Sequence, residues 1–168
     1  MSPVLVYPNP TLREVSKELP SSWWYIKSYL KKMKDALETM RAMRGAGISG
    51  IQIGEAYRFF WMLDEQGNVE LAANPSFVPS DKSLLRYVRE GCLSFPSVWG
   101  TVKRYNNILA TYERSDSSLS KPKLVDVELT GLKAHVFQHE CEHLDGKLFI
   151  DNLFPSEREK LLRQLRAS

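Results

Sequence analysis

Cysteine and histidine are scarce in this chain, whose 168 residues include two cysteines and three histidines. Two cysteines cannot build a disulfide framework, and we expect a reducing compartment. No apolar run approaches the roughly 20 residues of a membrane-spanning helix, and no charged leader precedes an apolar stretch at the start. These absences argue against a disulfide-rich secreted protein and against a membrane partner, so we expect a cytoplasmic protein.

Strong charge of one sign is also missing. The chain carries 23 lysines and arginines against 20 aspartates and glutamates, which gives a net charge of +3 and a pI near 8.8. This balance lacks the clustered positive face typical of DNA-binding proteins, so we expect no DNA partner. With 43% hydrophobic and 26% charged residues, the chain is long enough to bury a core, and we expect a single domain over residues 1–168.

The spacing of apolar residues predicts an α+β fold. Recurrence at three and four residues predicts a helix over residues 21–44, with its N-cap at Ser21 or Ser22. Thr130 as N-cap and Gly146 as terminal glycine predict a helix over residues 131–144, and Ser156 as N-cap, with acidic residues near the start and basic residues near the end, predicts one from 156 onward. Alternating, β-branched or aromatic runs predict strands over residues 58–63, 69–72, 84–88, 101–104, 108–112, 123–129 and 148–150. Prolines favour an extended arm around residues 4–7. We expect antiparallel strands around the central 131–144 helix, with helices at both ends.

The clearest chemical pattern lies on the central helix, in Gln138-His-Glu-x-x-His-Leu-x-Gly146. Residues four apart share one helix face, so His139 and His143 can present two imidazoles to one metal ion while Glu140 stands beside them. This H-E-x-x-H arrangement is typical of metal-dependent hydrolases. The alternative is a surface helix that happens to carry two histidines and an acid.

The motif supplies no third ligand, and several residues compete for that place. His135 shares the helix face, but residues 135 and 143 are about 12 Å apart along the helix axis, whereas metal–imidazole bonds are about 2.1 Å long. Cys141 points to the opposite side of the helix. Cys92 lies in a turn at a strand end and is free to approach, although a buried structural cysteine is its alternative. Acidic residues remain candidates as well.

A second pattern is the glycine-rich stretch from Gly45 to Gly54, with glycine at four of ten positions. Such a segment lets the backbone approach a ligand closely. It lacks the Lys-Ser/Thr ending of a phosphate-binding loop, so nucleotide binding is not indicated.

Three segments together resemble the peptide deformylase family in order and spacing. They are Gly45-x-Gly-Ile-Ser-Gly-x-Gln52, Glu90-Gly-Cys-Leu-Ser94 and the helix motif ending at Gly146. The similarity extends to Pro8-x-Pro-x-Leu-Arg13, Asn74-Pro75, Arg104 and Phe149-Ile-Asp151, and so covers nearly the whole chain. The resemblance implies an enzyme that removes the formyl group from the formyl-methionine of newly made polypeptides and releases formate.

The resemblance also implies roles for particular residues. Cys92, His139 and His143 would hold one divalent metal ion, with Fe²⁺ as the native ion and Zn²⁺, Ni²⁺ or Co²⁺ as substitutes. Glu140 would move the proton, while the Gln52 amide and the Leu93 backbone N–H would stabilise the oxyanion. An ion pair of Glu90 with Arg104 would brace the cysteine loop. The peptide would be bound by Ala46, Gly47, Ile48, Val88, Gly91, Leu132, His135 and Val136.

Some positions depart from the family pattern. Ser49-Gly50-Ile51 stands where Ala-Ala-Pro or Ser-Ala-Pro is usual, Glu142 replaces the more common Asp, and His135 replaces an aliphatic residue or Arg. These changes affect the expected substrate preference more than the expected activity.

The resemblance also implies binding partners, and two alternative functions remain. Formylated nascent peptides are the expected partners, with weak ribosome contact through the basic side chains of the last helix, Arg158, Lys160, Arg163 and Arg166. A general metallopeptidase is the alternative function and predicts cleavage of unformylated peptides. A non-catalytic metal-binding module is a further alternative, against which Glu140 and Gln52 speak.

Overall fold

The computed structural model describes residues 1–81 and 83–167. In this part of the chain there are three α-helices: α1 (Lys27–Ala42), α2 (Gly131–Leu144) and α3 (Pro155–Ala167). Seven strands accompany them: β1 (Gly47–Ser49), β2 (Phe59–Leu63), β3 (Val69–Pro79), β4 (Leu85–Cys92), β5 (Phe95–Tyr105), β6 (Asn107–Ser115) and β7 (Lys123–Thr130). Short 3₁₀ helices span Pro10–Arg13, Trp23–Tyr25, Gly50–Ile53 and Phe149–Asn152.

The strands form two antiparallel sheets, which confirms the predicted α+β class. One sheet has five strands in the order β1-β2-β3-β6-β7, and β4 and β5 pair as a separate hairpin. In the described residues no helix combines the length and apolar character needed to cross a membrane.

One face of α1 packs on the five-stranded sheet. Met33, Ala36 and Met40, spaced three and four apart, are buried against Ile48 and Trp61, and the Trp61 indole N–H donates to the Met33 carbonyl at 2.8 Å. The helix begins at Lys27, six residues later than the prediction, because residues 23–25 form a 3₁₀ turn and the Ser22 side chain makes no capping hydrogen bond.

The central helix α2 has the predicted bounds. Its apolar side packs on the same sheet, where Phe137 and Cys141 are buried with Phe60 and Tyr112. Thr130 occupies the N-cap position, but its side chain makes no capping hydrogen bond. The helix packs against both β1 and β5, and it therefore carries its polar side to the place where the two sheets meet.

The C-terminal region differs from the prediction in two places. Residues 148–150, predicted as a strand, enter a 3₁₀ helix because the Asp151 carboxylate accepts a hydrogen bond from the Leu148 backbone N–H at 3.0 Å and closes a turn. Helix α3 begins at Pro155, so Ser156 lies inside its first turn and is not its cap. Phe149 and Leu161 pack with Phe95 of the β4–β5 hairpin.

Candidate metal centre

Two elements that are distant in sequence meet at the candidate site. Helix α2 supplies His139 and His143, and the irregular last residue of β4 supplies Cys92. One donor atom from each residue lies within 4.8 Å of the others, and Cys92 Sγ is 3.3 Å from His143 Nε2. Tetrahedral bonds of about 2.3 Å to sulfur and 2.1 Å to nitrogen would separate those two atoms by about 3.6 Å. The donor set therefore fits one divalent ion.

The local chain geometry directs Cys92 towards α2. The regular pairing of β4 with β5 ends at Gly91, opposite Trp99, and the register shifts so that Cys92 faces Phe95. This irregularity turns the thiol out of the ladder, as a bulge commonly does. Cys92 remains half-buried, whereas His143 is 1% exposed, so the three donors lie in a largely dry place.

A carboxylate orients one of the histidines. Glu90 Oε2 is 3.5 Å from His139 Nδ1, and this contact leaves Nε2 of the ring for the metal position, as in other carboxylate–histidine–metal arrangements. Arg104 binds the same carboxylate through Nε and Nη2, each at 2.9 Å, and donates through Nη1 to Glu142 at 2.6 Å. Burial alone would raise the pKa of Glu90, but His139 and Arg104 outweigh it and lower the pKa to about 2.

The two imidazoles differ in their preferred protonation. Burial, and then the positive charges of His139 and Arg104, hold the pKa of His143 well below its usual range. Burial also lowers the pKa of His139, but hydrogen bonds with Cys92 and Glu90 outweigh it and raise the pKa well above the ordinary value. His143 is thus a ready neutral ligand, and a metal ion would compete with a proton at His139.

Glu140 lies beside the histidines on the buried side of α2. It is 3% exposed, and its Oε2 has no hydrogen-bond partner within the described residues. Burial raises the pKa of Glu140 to about 7. A carboxyl group with such a pKa can both accept and return a proton near neutral pH.

Gln52 is held with its amide N–H₂ facing the thiol. Its Oε1 accepts from the Ser49 backbone N–H at 3.0 Å and from Ser49 Oγ at 3.2 Å, which fixes the orientation of the amide. Its Nε2 then points to Cys92 Sγ at 3.5 Å and to Ser94 Oγ at 3.1 Å. Ser49 therefore positions this donor.

A cavity of about 460 Å³ opens beside these residues. Its lining includes most of the residues expected to bind the peptide: Ala46, Gly47, Val88, Gly91, Leu132, His135 and Val136. Leu93 lines it too, next to the glycine loop, where a Cβ added to Gly45 would lie 2.8 Å from Leu93 Cδ1.

The structure places Ile48 elsewhere, which corrects the expectation for this residue. Side chains alternate along β1, so that Gly47 faces Glu140 while Ile48 is fully buried in the cluster between α1 and the sheet. His135 does line the cavity, and its Nε2 is buried without a hydrogen-bond partner among the described residues.

Sequence reasoning missed several lining residues, among them Met43, Arg44, Arg89 and Trp99. Arg44 directly precedes the glycine loop and Arg89 directly precedes the cysteine motif. In the sequence, only these positions next to the two motifs could have indicated that the arginines line the cavity, because neither arginine belongs to a motif.

Comparison with known proteins agrees with this geometry. The model of the polypeptide deformylase family matches residues 1–159. A peptide deformylase of Bartonella henselae is 33% identical over 173 aligned residues, covering 99% of this chain and 92% of the relative. The crystal structure of a peptide deformylase from Legionella pneumophila has a TM-score of 0.86 at 29% identity, covering 99% of this chain and 94% of that chain. The corresponding structure from Thermus thermophilus has a TM-score of 0.82 at 33% identity, covering 99% and 94%.

Proposed function

This chain belongs to the peptide deformylase family, whose enzymes remove the formyl group from nascent polypeptides, and we propose here which of its residues perform that reaction. The observation that carries the assignment is the buried carboxyl of Glu140 beside three donor atoms that lie within 4.8 Å of one another. Cys92, His139 and His143 would hold the metal ion. When bound, the ion would supply Lewis-acid chemistry that makes water acidic enough to react near neutral pH.

Glu140 moves the proton in this assignment. Its carboxylate takes a proton from the attacking water as the oxygen–carbon bond to the formyl group forms. It returns that proton to the peptide nitrogen as the carbon–nitrogen bond breaks, so formate and a free amino terminus leave. A pKa of about 7 suits both halves of this cycle, because neither protonation state is strongly preferred.

Gln52 and Leu93 stabilise the negative charge that develops on the formyl oxygen. The amide of Gln52 is already oriented, because Ser49 holds its oxygen, and it would donate to the formyl oxygen in place of its 3.5 Å contact with Cys92 Sγ. The backbone N–H of Leu93 would be the second donor. Donors prepared in advance in a dry site typically contribute a factor of about 100 to 1,000 to the rate.

The peptide would lie in the cavity as an extended strand between Ala46–Gly47 and Gly91. Glycine at both places leaves the main chain open for strand-like pairing. Val88, Leu132 and Val136 then offer apolar contact to the methionine side chain, and His135 adds an imidazole to that wall.

The proposed function also includes the identity of the metal ion and the cellular compartment. A thiolate with two imidazoles suits Fe²⁺ and Zn²⁺ alike; from the family resemblance we propose Fe²⁺ as the native ion, with Zn²⁺, Ni²⁺ or Co²⁺ as substitutes on the same donors. We place the enzyme in the cytoplasm, where its thiol stays reduced.

We also propose a weak, salt-dependent contact with the ribosome through the basic residues of α3: Arg158, Lys160, Arg163 and Arg166. Unchanged cosedimentation of an α3-deleted variant with ribosomes would contradict this contact.

Formate release tests the proposed function. Anaerobically purified, metal-loaded protein is given a formyl-methionine peptide, in parallel with the Glu140→Ala variant and with the unformylated peptide. Formate from the wild type and none from the variant is the expected result. Cleavage of the unformylated peptide would point to a general metallopeptidase, and a folded, metal-loaded wild type that releases no formate would overturn the assignment.

A further inference from the structure

Two arginines at the mouth of the cavity have no part in the proposed chemistry. Arg44 and Arg89 both line the cavity and both are exposed. Within the described part of the chain neither forms an ion pair, although the buried Arg104 and the half-buried Arg58 are paired with carboxylates. The guanidinium groups of Arg44 and Arg89 are therefore available to a ligand.

No carboxylate among the described residues that line the cavity neutralises Arg44 and Arg89. The carboxylates that line the cavity are Glu90 and Glu140. Glu90 is bound by Arg104 and Glu140 is buried, so neither neutralises the arginines at the mouth. Among the residues that line the cavity, the accessible charge is therefore positive.

The backbone at Arg44 adopts a conformation that its side chain does not favour. The Gly45 N–H donates to the Met40 carbonyl at 2.9 Å and the Arg44 N–H to the Arg41 carbonyl at 3.2 Å, the pattern in which glycine normally takes the left-handed position. Here Arg44 takes it, with φ of 53°, and glycine comes one residue later. A non-glycine residue is disfavoured there, yet its side chain lies at the cavity.

Both arginines lie two residues from the segments that would pair with the peptide. Arg44 precedes Ala46 by two positions, and Arg89 precedes Gly91 by two positions on the same face of β4. Trp99, opposite Gly91 in the ladder, covers the glycine and leaves the strand edge open. The arginines therefore flank the path of the residues that follow the formyl-methionine.

We propose that Arg44 and Arg89 select formyl-methionine peptides that carry a carboxylate, from Asp or Glu, in one of the two positions after the methionine. This specificity rests on the proposed function of the same cavity. Guanidinium groups bind carboxylates through charge-assisted hydrogen bonds. Because both arginines are exposed, the preference is moderate and screened by salt.

A peptide series measures the preference. The peptides are C-terminally amidated, so the side chain supplies their only carboxylate, and they carry Glu, Gln or Lys at the first or second position after formyl-methionine. We expect kcat/KM for the better Glu peptide to exceed that of its Gln counterpart about three- to tenfold at low salt, with Lys lowest. The ratio should fall towards one at about 0.5 M NaCl and in the Arg44→Gln, Arg89→Gln double variant.

The matched control is Arg86→Gln, which removes an exposed arginine of the same strand that does not line the cavity and should keep the Glu/Gln ratio. Equal kcat/KM for Glu and Gln in the wild type, or a preference that survives in the double variant, would overturn the inference while formate release continued to support the proposed function. Absence of formate from every peptide would instead overturn the proposed function.

Arg44→Gly separates recognition from folding. Glycine suits the left-handed backbone, so the variant should melt at a higher temperature than the wild type and yet show a lower Glu/Gln ratio. A lower melting temperature with an unchanged ratio would assign Arg44 to the helix end and remove it from recognition.

Discussion

Gly47 has no Cβ, and this leaves room for the carboxylate of the proposed base, Glu140. A Cβ at this position would be 2.5 Å from Glu140 Oε1 and 2.9 Å from Val136 Cγ1, distances that packed side chains do not reach. The Glu140 carboxylate therefore lies directly against the backbone of β1. This contact helps to bury the carboxylate, and burial is the main cause of its raised pKa.

Gly47→Ala should displace the carboxylate and lower kcat for formate release at least about tenfold, because a misplacement of about 1 Å can cost up to about a hundredfold. Steady-state kinetics with a formyl-methionine peptide checks this. Gly67→Ala is the matched control, since its φ is 84° and a Cβ there would meet nothing within 4 Å; it should lower stability while leaving kcat unchanged. A Gly47→Ala enzyme with wild-type kcat would contradict this account of Glu140.

The two cysteines provide a paired test of the metal site. Cys92→Ala removes a proposed ligand and should weaken metal affinity more than about 100-fold, since even the loss of a group that only supports a ligand costs about 10- to 100-fold. Cys141→Ala removes a packed thiol on the other side of α2 and should cost only about 1 kcal/mol of stability, with metal content unchanged. Metal analysis after competition with a chelator measures both. Equal metal loss in the two variants would contradict the ligand assignment.

At the scale of elements, Arg104 joins three parts of the fold. It lies on β5 and is 2% exposed, and it binds Glu90 of β4 and Glu142 of α2. Because Glu90 also contacts His139, the same side chain holds the hairpin against the helix and fixes a proposed ligand. The desolvated guanidinium is tolerated because two carboxylates compensate it.

Arg104→Met should destabilise the protein by about 3–5 kcal/mol, since it takes the arginine partner from the largely buried Glu90 carboxylate and from the half-buried Glu142. Arg58→Met, which breaks the more exposed pair with Asp145, should cost only about 1 kcal/mol. Urea unfolding of the metal-loaded proteins compares the two. Similar losses in both variants would show that Arg104 contributes no more than an ordinary surface ion pair.

The elements also show how far the sequence could predict the structure. The bounds of α2 followed from Thr130 at its start, the H-E-x-x-H motif within it and the glycine at its end, because these are local signals that the sequence shows directly. Residues 148–150 were predicted as a strand because three apolar residues carry no helical period, and the decisive contact was the return of Asp151 to the Leu148 backbone. The pocket position of Ile48 was wrong for a similar reason, since only the pairing of β1 with β2 determines which face it takes.

The family motifs located the proposed ligands and base, but not the residues at the cavity mouth. Arg44 and Arg89 reach the cavity through the end of α1 and the course of β4, which are tertiary features. A motif describes the reacting groups, whereas these two arginines stand outside every motif. The sequence alone therefore predicts the reaction better than the substrate.

At the scale of the whole molecule, the two ends of the chain are tied together. Arg13, in the first 3₁₀ helix, binds both carboxylate oxygens of Asp151 in the last one. The arm before it also contacts the site region, as the Leu5 N–H donates to the Gln52 carbonyl at 2.7 Å and the Tyr7 N–H to the Ser94 carbonyl at 2.9 Å. The N-terminal arm thus supports the backbone at Gln52 and at Ser94, two residues after Cys92.

The Arg13–Asp151 pair should make stability depend on acid pH. Burial alone would raise the pKa of Asp151, but Arg13 and the Leu148 N–H outweigh it and lower the pKa in the folded state. A lowered pKa means that the stabilisation is complete above the unfolded value near ~3.9 and is lost as pH falls through the folded value. Asp151→Asn should cost about 0.5–1 kcal/mol at pH 6, discounted for partial exposure, and its deficit should shrink as pH falls below about 3.9 and disappear below the lowered pKa of the folded state. A deficit independent of pH would contradict the charge effect.

The wide sequence separation of Cys92 and His143, 51 positions, has a consequence for the synthesis of the protein. At about 5–20 residues per second, the thiol leaves the peptidyl-transferase centre roughly 3–10 s before the second imidazole does. During that interval the future ligand is an ordinary cysteine, open to oxidants, and no metal site exists to protect it. Each new copy therefore passes through a brief oxidation-sensitive stage during its own translation, and the yield of active enzyme should depend on how reducing the cell is while the chain is being made.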